Sequence, residues 1–199
     1  MEQLELRRQL IHASGIFVAL LIRQVYVLFG GWRVPALILF LAICAGYGVS
    51  YLHRSGANLL ILTKIINDAE RERDKGFPGR GALRFLTGAL LALLVFRHSP
   101  DIVAAGIIVL ALGDSASTLG GIAFGRHKIL YNKEKSLEGS LTGLLAAIFG
   151  LMLLTPFSLA AVATASLAGV IVESLPLGVD DNLTVPLAAG IAIRMLAEG

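Results

Sequence analysis

Charge is scarce in this 199-residue chain. Asp, Glu, Lys and Arg make up 16% of it, against about 25% in soluble globular domains. The single cysteine, Cys44, lies in an apolar run. That excludes an intramolecular disulfide and any cysteine-built metal cluster, and the residue reads as a small buried hydrophobe. No GxxxxGK[ST] loop occurs, nor GxSxG, nor HExxH, so a soluble-type nucleotide fold has no carrier. There is no repeat of the soluble type and no low-complexity tract. The opening MEQLELRRQLIHASG has Glu2 and Glu5 in its charged part and no cleavage-like end. It reads as a retained first span rather than a signal peptide.

What the chain has instead is hydrophobicity: 56% of residues are apolar and the mean hydropathy is +0.77. This composition predicts an all-α, polytopic integral membrane protein, with residues 1–199 forming one transmembrane domain and no separate soluble one. Crossing a bilayer takes roughly 17–25 residues of helix. Seven segments approach this: Leu10–Phe29, Arg33–Leu52, Ala82–Phe96, Ile102–Phe124, Gly139–Thr155, Leu159–Leu175 and Leu183–Ala197. The third and last are short. Arg23 in the first either snorkels or ends that span early.

The connections differ in character. Residues 30–31, 97–101 and 156–158 are short and poor in lysine, whereas the N-terminal tail and the loops at about 53–81 and 125–138 are basic. Arg7, Arg8, Arg54, Lys64, Arg71, Arg73, Lys75, Arg80, Arg84, Arg126, Lys128, Lys133 and Lys135 then share one side, 13 of the 17 Lys and Arg. The positive-inside rule puts that side, and the N-terminus, in the cytosol. The acidic loop at 176–182 falls on the same side. Within the long loop, apolar Leu59–Ile66 followed by NDAERERDKG predicts a helix at the inner membrane surface, ending near Gly76 and Pro78.

Chemistry concentrates between Leu112 and Gly143. Asp114 sits in an apolar run, where a carboxylate costs roughly 2.5–3.5 kcal/mol even on lenient insertion scales. It falls about 20 Å along the helix from Asp101, in the inner half of the bilayer. Ser117 and Thr118 share its helix face. The small residues Gly113, Ala116, Gly120 and Gly121 permit close helix approach and leave room for a ligand. A carboxylate with hydroxyls nearby suits Mg²⁺ whose shell phosphate oxygens complete. Lys128, Lys133 and Lys135 offer charge for phosphate. Ser136 is placed to cap a helix beginning near Gly139, without a full capping box, and free N–H groups there attract anions. Glu138, three residues after Lys135, shares its face on helical spacing and would bind metal, orient Lys135 or merely pair with it. Near the end, VESLPLGVDDNLTVP brings Glu173, Asp180, Asp181 and Asn182 to the same side, with Pro186 in the first turn of the last span. Two carboxylate clusters across a basic loop suit one or two Mg²⁺ ions clamping a triphosphate. Arg8 and His12, at i and i+4, share a face at the mouth of the first span.

Taken together, RRQLIH, GDSASTLGGIAFGRHK, KEKSLEGS and VESLPLGVDDNLTVP resemble the CTP-dependent polyprenol kinase family, which includes dolichol, phytol and CTP-dependent diacylglycerol kinases. The pieces occur in the family's order over most of the chain. The resemblance implies transfer of the CTP γ-phosphate to the hydroxyl of a membrane isoprenoid alcohol of the dolichol, polyprenol, geranylgeraniol or phytol type. It implies Asp114, Lys135, Glu138 and Asp181 as catalytic residues, with Asp114 and Asp181 holding Mg²⁺. Lys128, Lys135, Ser136, Gly120, Gly121 and Asn182 would bind the nucleotide, and Glu138 or Asp181 would take the alcohol proton. The partners implied are CTP, the lipid alcohol and the bilayer, with no nucleic acid; a homodimer suits so small a membrane enzyme. The membrane would be the cell membrane in a prokaryote and the endoplasmic reticulum in a eukaryote, the site facing the cytosol.

Two other readings compete. The central block also looks like part of CDP-diacylglycerol synthase, a phosphatidate cytidylyltransferase, which shares a D…A…G…FG…K…K[ST]xEG pattern. That family normally ends in a KD element and PGHGG…DR.D, where this chain has DNLTVP, which favours the kinase. A small ion-coupled transporter would use Asp114 and Glu173 as ion sites, but the inverted repeats that favour transport are not convincing here.

Overall fold

The computed structural model describes residues 2–55, 77 and 79–197. The surface helix expected from Leu59–Ile66 and the ERERDK run lies outside the described residues. Among those described, the chain forms seven helical rods. They are α1 (Glu2–Ala13) running through Ser14 into α2 (Gly15–Leu28), α3 (Arg33–Arg54), α4 (Arg80–Val95), a broken rod, α7 (Leu137–Leu154), α8 (Leu159–Ser174) and α9 (Asp181–Ala197). The broken rod consists of α5 (Pro100–Ile108), a π-helical turn (Val109–Asp114) and α6 (Ser115–Phe124). Four rods are long and apolar enough to cross a membrane: Leu4–Leu28, Arg33–Arg54, Pro100–Phe124 and Leu137–Leu154. α8 is a shorter apolar helix.

The boundaries follow local chemistry. Gly30, at φ +67°, ends α2, and the N–H groups of Gly30 and Gly31 return to the Val27 and Tyr26 carbonyls; only glycine takes this left-handed C-cap freely. Pro100 stands in the first turn of α5, where its missing N–H costs nothing. Ser136 caps α7 by accepting from the Gly139 N–H at 3.2 Å, as its position in the sequence indicates. Between α6 and α7, the basic loop expected at 125–138 contains a small antiparallel hairpin, β1 (Lys128–Ile129) and β2 (Asn132–Ser136), which adds a piece of sheet to the helical fold.

The broken rod is the centre of the molecule. Ile102, Val103, Ala104, Ala105, Ile107 and Ile108 are all buried, with α2, α4, α7 and α9 packed around them. A helix apolar on every side needs such a surround. Glycines set how closely the rods approach. A Cβ on Gly139 would stand 2.6 Å from the Ser117 carbonyl, and one on Gly143 2.6 Å from that of Gly113. A Cβ on Gly88 would run into the Asn182 carbonyl. That carbonyl is the one an amide at 186 would have bonded, and Pro186 has no N–H.

Several expectations are corrected here. α9 starts at Asp181, so Pro186 lies inside the helix rather than in its first turn; the Asp180 carbonyl receives the Leu183 and Thr184 N–H groups and starts the helix early. Cys44 is exposed, not buried, because α3 lies at the edge of the bundle against α4 and α2. Arg23 does not end the first rod: α2 continues to Leu28 and Arg23 Nε donates to Asp101 Oδ1 at 2.5 Å.

Candidate active site

The π turn places the central carboxylate. A π turn widens the helix and often marks functional sites; this one ends at Asp114. From there the two carboxylate oxygens face different groups. Oδ1 lies 3.5 Å from Lys135 Nζ and Oδ2 lies 3.5 Å from His12 Nε2. Lys135 also forms an ion pair with Glu173, a carboxylate only 4% exposed at the end of α8. The Ser117 hydroxyl lies beside Glu173.

Lys135 reaches this position because the hairpin is pinned to the end of α8. Tyr131 Oη and Ser174 Oγ are 2.8 Å apart, and Asn132 Nδ2 donates to the Ser174 carbonyl at 3.0 Å. Burial lowers the pKa of the Lys135 ammonium, but the Glu173 and Asp114 carboxylates outweigh it, and the net shift is upward. Asp181 also acts on Lys135 electrostatically. The lysine is therefore a fixed cation among carboxylates from three rods.

Other named residues fall around this centre. Asp180 pairs with Arg84 of α4 at 2.9 Å and accepts from Asn182 through both N (3.1 Å) and Nδ2 (2.6 Å). Asn182 thus shapes the start of α9. Glu138 does not share a face with Lys135, because Lys135 is in a strand and the helix begins only at Leu137. Its carboxylate instead accepts the Arg126 and His127 N–H groups at 3.2 Å and lies 2.6 Å from His127 Nδ1. Lys128 stays exposed on β1. The room expected beside Gly120 and Gly121 is filled by α7: a Cβ on Gly120 would collide with Thr142, and one on Gly121 would meet Ser136 Oγ at 3.3 Å. Those glycines serve helix packing.

The side chains that could hold a hard cation are Asp114 and Asp181, whose charges both act on Lys135. Among the described residues, no three His, Cys, Asp or Glu converge as a ready-made metal site. Mg²⁺ is usually held by one or two carboxylates, with substrate phosphates and water completing its shell. Glu173, His12 and Arg84 are the residues that the sequence undersold. Glu173 shows only as an acid at a helix end, His12 only by its i+4 relation to Arg8, and Arg84 only as one of many basic residues.

Comparison with known proteins adds relatives. Over 152 residues the chain is 32% identical to a probable phytol kinase 1, chloroplastic, of Glycine max, covering 67% of this chain and 49% of that protein. It is 30% identical over 169 residues to a probable phytol kinase 3, chloroplastic, of the same plant, covering 75% and 51%. It is 27% identical over 168 residues to the chloroplastic farnesol kinase of Arabidopsis thaliana, covering 77% and 55%. The chain spans about half the length of these curated relatives. No protein-family profile and no solved structure matches it. With its motifs in the family's order and these proteins as its relatives, the chain belongs to the polyprenol kinase family.

Proposed function

We propose that the protein is a CTP-dependent lipid kinase that transfers the γ-phosphate of CTP to the hydroxyl of a membrane isoprenoid alcohol. The observation that supports it most is the Asp114–Lys135–Glu173 cluster, which joins the middle of the central rod, the hairpin and the end of α8, in a chain whose relatives are named phytol and farnesol kinases. A long isoprenoid alcohol leaves the bilayer only at about 0.8 kcal/mol per CH₂, and a nucleotide does not enter it. The reaction belongs where the two meet, at the basic end of the bundle. That end faces the cytosol or its topological equivalent, with the N-terminus on the same side.

In this reading Asp114 and Asp181 hold Mg²⁺, which neutralises phosphate charge when bound. Lys135, kept charged by its acidic neighbours, meets the transferring phosphoryl group. Glu173 holds the Lys135 ammonium in place. Ser136 fixes the start of α7 beside it, and Lys128 on the exposed hairpin attracts the nucleotide. Positioning and electrostatic stabilisation of this kind supply most of the catalysis in phosphoryl transfer.

The test is a product assay on purified protein in detergent with γ-labelled CTP, Mg²⁺ and a panel of polyprenol, geranylgeraniol, phytol and diacylglycerol. Phosphatidate is run alongside. Label in an extracted lipid phosphate establishes the kinase, and the best acceptor names the substrate. No labelled lipid, with pyrophosphate released only when phosphatidate is added, would instead establish a cytidylyltransferase.

A further inference from the structure

We propose that His12 Nε2 is the hydrogen-bond acceptor for the hydroxyl of the acceptor alcohol. This inference rests on the kinase reading for the identity of that alcohol and deepens it by assigning the group that recognises the reacting oxygen.

A neutral alcohol must donate its one O–H to something as its oxygen approaches a phosphate. Among the described residues, Gln9 Oε1, Ser166 Oγ, Asn182 Oδ1 and His12 Nε2 are buried without a hydrogen-bond partner, and His12 Nε2 is the one 3.5 Å from Asp114. Glu173 is occupied by Lys135, Glu138 by His127 and two backbone N–H groups, and Asp180 by Arg84 and Asn182. Asp114, 3.5 Å from Lys135, is taken by Mg²⁺ in the kinase reading. His12 Nε2, by contrast, is a buried ring nitrogen with no hydrogen-bond partner, and Asp114 Oδ2 at 3.5 Å is beyond good hydrogen-bond range. The Leu110 backbone also interacts with the ring. In the neutral tautomer with its proton on Nδ1, the ring presents the Nε2 lone pair to the alcohol.

The surroundings suit a lipid hydroxyl rather than a phosphate. Phe85 meets the imidazole edge-on, with centroids 5.7 Å apart and planes at 77°, and Phe85 and Leu110 are themselves buried. One turn along, Gly15 packs directly against the Phe85 ring, from which a Cβ would stand only 2.5 Å away. α1 is held on the central rod by the Ser115 hydroxyl donating to the Gln9 carbonyl at 3.1 Å. Asp114 therefore separates two sides: one at Lys135, a cation for phosphate, and one at His12, where Phe85 lies against the imidazole and the opposite charges of Arg8 and Asp180 both reach it, for the alcohol.

The test needs binding as well as turnover. A photoreactive isoprenoid alcohol is bound to the purified protein in nanodiscs and displaced by geranylgeraniol or by its methyl ether, which cannot donate. The wild-type protein is expected to prefer the alcohol by about tenfold, the scale of one neutral hydrogen bond. His12→Ala is expected to bind both equally and to raise KM for the alcohol about tenfold, leaving KM for CTP within about twofold. His12→Gln, whose amide oxygen accepts, should recover part of the preference; it also serves as the folded variant if His12→Ala fails to assemble. Undiminished preference in both variants would overturn the assignment while leaving the kinase reading intact. Preference that depends on His12, in a wild-type protein that phosphorylates no alcohol, would support the hydroxyl site and overturn the kinase reading.

Discussion

Lys135, at the end of a short strand, forms an ion pair with Glu173, 38 residues further along at the end of α8. The pair ties the hairpin between α6 and α7 to the far side of the bundle, and it does so where Glu173 is buried. Removing one partner of such a pair typically costs about 3–5 kcal/mol, because the other charge is left uncompensated. Lys135→Met should accordingly lower the unfolding midpoint in detergent sharply. The double variant Lys135→Met/Glu173→Gln should recover most of that loss and none of the phosphoryl transfer. Equal melting of the single and double variants would show that the pair does not couple the hairpin to α8.

Asp114→Asn keeps the volume and removes the charge. Its neighbours Lys135 and His12 are held by other contacts, Glu173 for one and Phe85 for the other, so the fold should survive. Phosphoryl transfer should fall by about 10²–10³-fold, as expected when a main electrostatic group is lost. A purified Asp114→Asn protein that phosphorylates alcohol at the wild-type rate would remove Asp114 from the metal site.

The seven segments and the Asp114-to-Lys135 axis were legible because both rest on local signals. Long apolar runs mark the rods, and an acid within one stands out. Tertiary placements were not legible. Spacing put Glu138 beside Lys135 on an assumed helix, but Lys135 lies in a strand whose existence depends on Tyr131 and Asn132 meeting Ser174. Gly120 and Gly121 looked like room for a ligand, because a single sequence does not show that Gly139, Thr142 and Gly143 of α7 will fill it. His12 was visible, but its nearness to Asp114, more than 100 positions away, leaves no mark on its neighbours.

The α6–α7 contact is a close backbone approach, so it should not tolerate even a methyl group. Gly143→Ala places a Cβ 2.6 Å from the Gly113 carbonyl and 2.9 Å from the Ser117 Cβ. Overpacking of this kind costs about 1–3 kcal/mol. A thermal-unfolding series should show Gly143→Ala lowering the midpoint, whereas Gly48→Ala, with nothing within 4 Å, should leave it in place.

Arg23 and Asp101 belong to a different region, at the start of α5. Both are more than a third exposed, 41% and 36%, so their pair is worth about 0–1 kcal/mol in water. It would rise only if the membrane excludes water there. A double-mutant cycle in nanodiscs distinguishes these cases. A coupling near zero means a solvated pair at the membrane surface. A larger coupling, with rescue by the swap Arg23→Asp/Asp101→Arg, means a pair held within the bilayer.

The orientation of the bundle can be read chemically because Cys44 is the sole cysteine. In a Cys44→Ala background, Lys133→Cys labels the hairpin and Arg97→Cys the turn between α4 and α5, both exposed positions. The rod from Pro100 to Phe124 lies between them. If that rod crosses the membrane, a membrane-impermeant maleimide added to sealed vesicles should label one variant before lysis and the other only after it. The basic distribution predicts that Lys133→Cys is on the side where the nucleotide is supplied. Labelling of both variants from one side would remove the central rod as a span. The Lys135–Asp114 site would then lie outside the bilayer, and a lipid alcohol would have to be lifted from the membrane to reach it.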